Sequence, residues 1–142
     1  MAEGQTARPG RLDQARFIDL PSHPDGRGVL TAIEGGRDIG FEIQRVYLLH
    51  DIVAERGGHA HRDTHQVIVA ASGGFTLVLS DGTDEARFRV DSPARGVAFG
   101  PMLFIRMTDF MPGTCAVVLA STHYDCSRSI RSWEEYLAVI AP

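Results

Sequence analysis

The sequence predicts an all-β sandwich or barrel that ends in one short helix. Its apolar runs are short, rich in β-branched and aromatic residues, and separated by turns containing Gly, Pro and Asp. Two of these runs flank Gly73-Gly74, which is typical of a β-hairpin. Only residues 129–140 have helical spacing, with Trp133, Tyr136 and Leu137 on one face. Many strands and a single helix favour a sandwich or barrel over an α/β fold.

The strands follow one another along a single domain. Residues 1–14 are polar and are expected to form a flexible tail, and residues 15–142 are expected to form one domain with its own core. A Pro/Gly-rich loop is predicted at 21–28, and the alternating pattern at 41–50 indicates a half-buried strand. The predicted strands span residues 15–20, 29–34, 41–50, 65–72, 75–80, 85–90, 96–100, 103–110 and 115–121.

Composition excludes several classes of function. All 14 basic residues are arginine, and without a lysine the chain cannot form the Schiff base that pyridoxal phosphate enzymes require. A net charge of −4 gives no general attraction to nucleic acid or to anionic membranes. No glycine motif opens a helix, which argues against Rossmann and P-loop nucleotide binding. The chain lacks a bilayer-spanning stretch and its start lacks a secretory signal, so we expect a cytoplasmic protein.

The most informative stretch is "ERGGHAHRDTHQVIVAASG", residues 55–73. His59, His61 and His65 have odd numbers and would share one face of a single extended strand. With Gln66, the His-x-His spacing resembles the first motif of the cupins, small jelly-roll barrels in which three histidines and a glutamate hold a divalent ion.

A metal site is nevertheless not the favoured reading of this motif. Gln66 stands where the cupin carboxylate would be, and Ile105 and Arg106 occupy the region of the last histidine ligand. Two imidazoles alone bind a metal weakly, and a guanidinium would repel the ion. His65 as a third ligand, and exposed strand histidines without any role, remain as alternatives.

Proton transfer is the chemistry that these residues favour. An imidazole with a pKa of ~6.5 can accept a proton and later return it at neutral pH. Arg45 and Tyr47 share a face of the strand at 41–50. If that face lines the barrel, Tyr47 supplies a weak acid and Arg45 a cation for phosphate. Otherwise they are an ordinary strand aromatic and a surface charge.

Seven segments in order resemble the sugar-nucleotide 3,4-ketoisomerases, cupins that act on TDP-4-oxo-6-deoxyglucose. The resemblance covers residues 16–137. It implies a cupin jelly roll that works without metal or other cofactor, and a homodimer whose N-terminal strands are exchanged. The segments are "DGRGVLTAIE", "FEIQRVYLL", "ERGGHAHRDTHQVIVAASG", "VDSPARGVAFGP", "MTDF", "VVLASTHYD" and "IRSWEEY".

The resemblance also implies a reaction and its residues. The keto group of a TDP-linked 4-keto-6-deoxysugar moves from C4 to C3 through an enediol. His59, His61 and Tyr47 correspond to the acid–base residues, and we assign His59 as the base that takes the C3 proton. The candidates for binding phosphate or sugar, and for lining the pocket, are Arg45, Arg56, Arg106, His65 and Gln66.

Two segments depart from the family pattern. Phe104-Ile105 replaces a Trp-His pair that members often carry, and residues 127–129 place Arg128 where acidic residues are usual. A sugar-nucleotide epimerase and a non-catalytic sugar-nucleotide-binding cupin are the alternative functions.

Overall fold

The protein is built from antiparallel β-sheets and one short helix. The structure, a computed structural model, describes residues 6–141. The elements are β1 Arg16–Asp19, β2 Ser22–Asp25, β3 Gly28–Thr31, β4 Arg45–Leu49, β5 Arg56–His61, β6 Gln66–Ser72, β7 Phe75–Ser80, β8 Glu85–Val90, β9 Arg95–Phe99, β10 Phe104–Thr108, β11 Cys115–Ala120, β12 Ser129–Ile130 and α1 Trp133–Ile140.

Two five-stranded sheets form the jelly roll. The first has the order β1-β9-β6-β11-β4 and the second has the order β12-β5-β10-β7-β8, while β2 and β3 form a separate hairpin. Alternate side chains of both sheets point inward and form the main core. Its central members are 2% exposed or less and include Ile68, Phe75, Leu77, Val97 and Ile105. The predicted all-β jelly roll with a C-terminal helix is confirmed.

Several predicted boundaries differ from the structure; the strand predicted at 29–34, for example, ends at Thr31. The predicted loop at 21–28 contains β2, which pairs with β3 so that Ser22 lies opposite Thr31 and Asp25 lies opposite Gly28. Proline is tolerated at Pro24 because β2 belongs to a two-stranded hairpin and need not donate to a second neighbour. The strand predicted at 41–50 is shortened to β4, because Phe41 and Ile43 instead cover the outer face of the first sheet.

The N-terminal segment is attached to the domain from Ala7 onward. The backbone N–H of Ala7 donates to the Val139 carbonyl at 2.9 Å, and that of Gly10 donates to Met102 at 2.7 Å. Leu12 packs against the main core. The prediction of a flexible tail over residues 1–14 is therefore wrong from Ala7 onward. The polar composition of this segment gave no sign of packing, because backbone groups make its hydrogen bonds to the domain. Residues 1–5 of that predicted tail lie outside the described residues.

Helix α1 covers the outer face of the second sheet. Ser132 caps it by accepting a 3.1 Å hydrogen bond from the Glu135 N–H. Tyr136 is fully buried, and its hydroxyl donates to the carbonyl oxygen of Met102 at 2.8 Å. Within residues 6–141, we find no helical segment with the length and apolarity needed to cross a membrane.

The Tyr136 hydrogen bond gives a stability prediction. Tyr136→Phe removes this hydrogen bond, while the Gly10 N–H still donates to the Met102 carbonyl, so we expect the free energy of unfolding to fall by about 1 kcal/mol. Denaturant titration followed by circular dichroism measures this change. Tyr124→Phe is the matched control because Tyr124 is 68% exposed, and it should change stability by less than about 0.5 kcal/mol. Equal effects of the two substitutions would contradict the prediction.

Candidate active site

One cavity opens between β4 and β5, at the side of the barrel. Its volume is about 610 Å³, large enough for a sugar nucleotide to enter in part. Strands β4 and β5, Met107 of β10 and the segment that follows β11 build its wall. The lining residues with chemistry to offer are Arg45, Tyr47, Arg56, His59, His61, Tyr124, Ser129 and Arg131.

The pleat of β5 turns two histidines into this cavity. His59 and His61 share the inner face, while Ala60 between them is fully buried on the outer face against Ile130 and Tyr136. The imidazole centroids are 4.9 Å apart and the rings are nearly perpendicular, at 84°. Both histidines can therefore reach neighbouring atoms of one ligand.

A glycine bulge immediately before the histidines sets their position. In the pairing of β5 with β10, Ile105 lies opposite His59 and Arg106 opposite Gly57, so Gly58 is the additional residue. Gly57 has a φ of +100°, and a Cβ there would lie 2.6 Å from the Ile105 carbonyl oxygen. Only glycine fits this close approach at Gly57, and the φ of +77° at Gly58 also favours glycine, so both members of the Gly-Gly pair ahead of the His-x-His motif have a backbone reason.

Both imidazoles are held in the neutral form. Burial, together with the nearby His59 and Arg45, lowers the pKa of His61 to about 4. Burial also lowers the pKa of His59, with Arg131 and Arg56 adding to the effect. The Nε2 atom of His61 is buried without a hydrogen-bond partner among the described residues. A neutral imidazole has one ring nitrogen that can accept a proton.

On the opposite wall, β4 contributes Arg45 and Tyr47. The Arg45 guanidinium carbon lies 5.3 Å from the ring centroid of Tyr47 and 5.6 Å from that of Tyr124. These cation–π contacts orient the guanidinium without neutralising it. The Nε atom of Arg45 is buried and has no partner within the described chain. Since no Asp or Glu of the described residues lines the cavity, the Arg45 charge is available to a ligand that enters it.

The cavity carries positive charge without a compensating acid. Arg45, Arg56 and Arg131 line it, and no aspartate or glutamate of residues 6–141 does so. Guanidinium groups bind phosphate oxygens with two parallel hydrogen bonds. The wall is therefore complementary to a multiply charged anion such as a diphosphate.

Three of the residues expected in the pocket lie elsewhere. Arg106 is on the outer face of β10 because Ile105 and Met107 point inward, and its Nη2 lies 3.9 Å from Glu85 Oε1. His65 follows a turn after β5, lies next to Phe41 at the outer face of the first sheet, and lines a separate pocket. Gln66 is buried behind Tyr47 rather than on the cavity wall.

The structure adds Tyr124, Ser129 and Arg131 to the expected set. Ser129 pairs with His61 through the short strand β12, which brings the segment after β11 to the cavity mouth. The Nη2 of Arg131 donates to the Tyr124 hydroxyl at 3.3 Å. Ser129 and Arg131 are two residues apart and so lie on one face of an extended segment. This spacing is the feature of the sequence from which their shared position could have been predicted.

Potential metal ligands are sparse in the described chain. Within residues 6–141, no three His, Cys, Asp or Glu side chains converge on a point where they could hold an ion. Catalysis without a metal stays a prediction.

Comparisons with known proteins agree on one family. The family model FdtA, described as WxcM-like, C-terminal, matches residues 13–141. The TDP-4-oxo-6-deoxy-α-D-glucose-3,4-oxoisomerase of Aneurinibacillus thermoaerophilus is 40% identical over 128 residues, which cover 89% of this chain and 92% of that protein.

Solved structures give the same result. The sugar 3,4-ketoisomerase QdtA of Thermoanaerobacterium thermosaccharolyticum, in complex with TDP, is 33% identical with a TM-score of 0.86, covering 90% of this chain and 95% of that chain. The TDP-quinovose 3,4-ketoisomerase WlaRB of Campylobacter jejuni is also 33% identical, with a TM-score of 0.82 and coverage of 88% and 98%. The resemblance found in the sequence is confirmed. The relatives described above are sugar-nucleotide 3,4-ketoisomerases, and the chain belongs to the FdtA/WxcM-like family.

Proposed function

We propose that this protein is a ketoisomerase that moves the keto group of TDP-4-oxo-6-deoxyglucose from C4 to C3. The observation that carries the proposal is the pairing of two neutral imidazoles and a tyrosine hydroxyl with three guanidiniums in one cavity. The first group fits proton transfer on a sugar, and the second fits a diphosphate. The activities named for the relatives support the choice of substrate.

The reaction requires only proton movements. The C4 carbonyl acidifies the C3 hydrogen, and His59 removes it, which gives an enediol(ate) spanning C3 and C4. A proton then returns to carbon C4, while the C3 hydroxyl loses its proton and becomes the new carbonyl. The former C4 carbonyl oxygen gains a proton and becomes a hydroxyl. His61 and Tyr47 line the same cavity and are proposed to exchange these oxygen-bound protons.

Substrate binding is assigned to the cationic wall. Arg45, Arg56 and Arg131 are proposed to bind the diphosphate, since they are the charged residues of the cavity. Tyr124 is 68% exposed at the cavity mouth, and its ring offers a surface for a base or sugar. Arg106 and His65 are left out of this assignment because they line other pockets.

We also propose a homodimer in which the N-terminal hairpins are exchanged. The β2–β3 hairpin pairs with no other described strand and exposes Val29 and Leu30 at 65% and 62%. Strand β4 ends its sheet with a free edge and exposes Val46 and Leu48 at 51% and 54%. A free edge and an unsupported hairpin, both apolar, are complementary between two copies.

Activity is the first test. His59→Ala should lower turnover by about 10²–10⁴-fold because it removes the proposed general base. The measurement is conversion of TDP-4-oxo-6-deoxyglucose in deuterated water, followed by NMR. His65→Ala is the matched control and should retain activity, since His65 lies outside the cavity.

The labelled product distinguishes the alternatives. A ketoisomerase gives a 3-keto sugar with deuterium at C4, whereas an epimerase leaves the carbonyl at C4 and labels the carbon that it inverts. Binding of the substrate without turnover would indicate a non-catalytic cupin. Either of the last two results contradicts the proposed function.

The dependence of kcat/KM on pH is the second test. The lowered pKa values of His59 and His61 keep the neutral, basic form populated below the ordinary value of 6.5. We therefore expect kcat/KM to stay constant as the pH falls through 6.5 and to decline only at lower pH. Arg131→Met removes one of the charges that lower the His59 pKa, and should move this decline toward neutral pH.

Arg37→Met removes an exposed arginine outside the cavity and serves as the control for charge alone. A decline in the wild-type protein that is centred at or above 6.5 would show that the free enzyme does not hold its base in the neutral form.

The dimer has a separate test. The wild-type chain of 15.5 kDa should run at twice this mass in size-exclusion chromatography with light scattering. Val29→Asp combined with Leu30→Asp should yield monomers, because burying two carboxylates at an apolar interface is costly. Val53→Asp is the control at a position that is 97% exposed. A monomeric wild-type protein, or a dimeric double variant, would refute the exchanged hairpin.

A further inference from the structure

Gln66 is a buried polar residue that the proposed mechanism does not yet use. Its side chain is 1% exposed, and it lies on β6 between its register partners Phe99 and Ala120. It does not line the active-site cavity, so substrate binding does not account for it. Its one side-chain hydrogen bond within the described residues is to Tyr47, which does line the cavity.

The direction of this hydrogen bond follows from the surroundings. Gln66 Nε2 donates to the Tyr47 hydroxyl oxygen at 2.9 Å, and Oε1 has no partner in the described chain. The reversed amide would leave both of its N–H donors without an acceptor. The observed orientation leaves the carbonyl and one N–H unpaired, and proteins tolerate a buried unpaired carbonyl better than a second unpaired N–H. The amide therefore acts as the donor.

This direction decides where the Tyr47 proton points. Because the hydroxyl oxygen already accepts from Gln66, its own hydrogen is free to be donated, and no described residue accepts it. The cavity is where an acceptor can enter. We propose that Gln66 is a positioning residue for Tyr47, whose amide donates to the phenolic oxygen and so directs the phenolic O–H at the bound sugar.

The hydrogen bond also affects the charge that Tyr47 can carry. Burial raises the pKa of Tyr47, whereas the charge of Arg45 and the hydrogen bond from Gln66 act in the opposite direction. An N–H donated to the phenolic oxygen stabilises the phenolate. Gln66 thereby makes it easier for Tyr47 to give its proton to a sugar oxygen and take it back. This role rests on the proposed ketoisomerase mechanism.

The amide can be contrasted with a carboxylate of the same shape. A glutamate at position 66 would accept the Tyr47 proton instead of donating to its oxygen, which turns the O–H away from the cavity. Its negative charge would also disfavour a phenolate beside it. Gln66→Glu therefore reverses the proposed effect with almost no change in volume.

The experiment combines kinetics with a tyrosine titration. Gln66→Glu should lower kcat by about 10²-fold with little change in KM, because it removes a proton-transfer role and not a substrate contact. The tyrosinate absorbance titration, compared with that of Tyr47→Phe, should show that the Tyr47 pKa has risen. Gln66→Met, which has no donor and no charge, should raise the Tyr47 pKa as well and serves if the glutamate variant does not fold.

Two controls separate positioning from structure. Gln44→Glu makes the same substitution at an exposed site and should change neither readout. In a Tyr47→Phe background, Gln66→Glu should cause no further loss of kcat, because the group it positions is absent. The inference is overturned if kcat survives Gln66→Glu, if the loss is the same in both backgrounds, or if the Tyr47 titration does not move. Should the wild-type chain show no turnover, the proposed function fails and the titration alone decides the role of Gln66.

Discussion

The pleat of β5 is the constraint on which the site depends. Ala60 must face outward, because it is fully buried against Tyr136 and Ile130 beneath helix α1. Its neighbours in the chain must then face inward, which places His59 and His61 in the cavity. A shift of one residue would expose both imidazoles to the helix side and bring the alanine to the lumen. The packing of the C-terminal helix therefore also fixes the direction in which the two cavity histidines point.

The second constraint is electrostatic. Burial and nearby guanidiniums both disfavour protonated imidazole, so the cavity holds its bases neutral before any ligand arrives. A diphosphate bound to Arg45 and Arg131 would offset the charges that oppose protonation. We therefore expect the basicity of His59 and His61 to rise when the substrate is in place. In the proposed mechanism, the groups that would bind the anion would then also control when the two imidazoles can hold a proton.

The alternation of residues along single strands predicts much of the fold, and the wrong predictions fall where a turn or a long-range strand pairing intervenes. Alternation predicted that Arg45 and Tyr47 share a face and that His59 and His61 do so, and both pairs line the cavity. His65 is also odd-numbered, but the turn between β5 and β6 interrupts the strand. Alternation along β5 therefore does not predict the direction of the His65 side chain. Tyr124 and Arg131 were missed because β12, a two-residue strand, brings their segment to β5 from more than sixty residues away. Such pairing depends on tertiary packing, which no local window contains.

The positions at which this chain departs from the metal-binding cupin motif can be understood as parts of proton chemistry. Ile105 lies opposite His59 in the strand pairing and is 2% exposed, so it contributes to the apolar surroundings that keep the imidazole neutral. Gln66 directs its amide donor to Tyr47, which a carboxylate could not do. A hydrocarbon and an amide at these two places favour groups that exchange protons rather than groups that share a cation. Under the proposed function, a change in these two inward-facing side chains would adapt the barrel to proton transfer, while the strands that carry them keep their register.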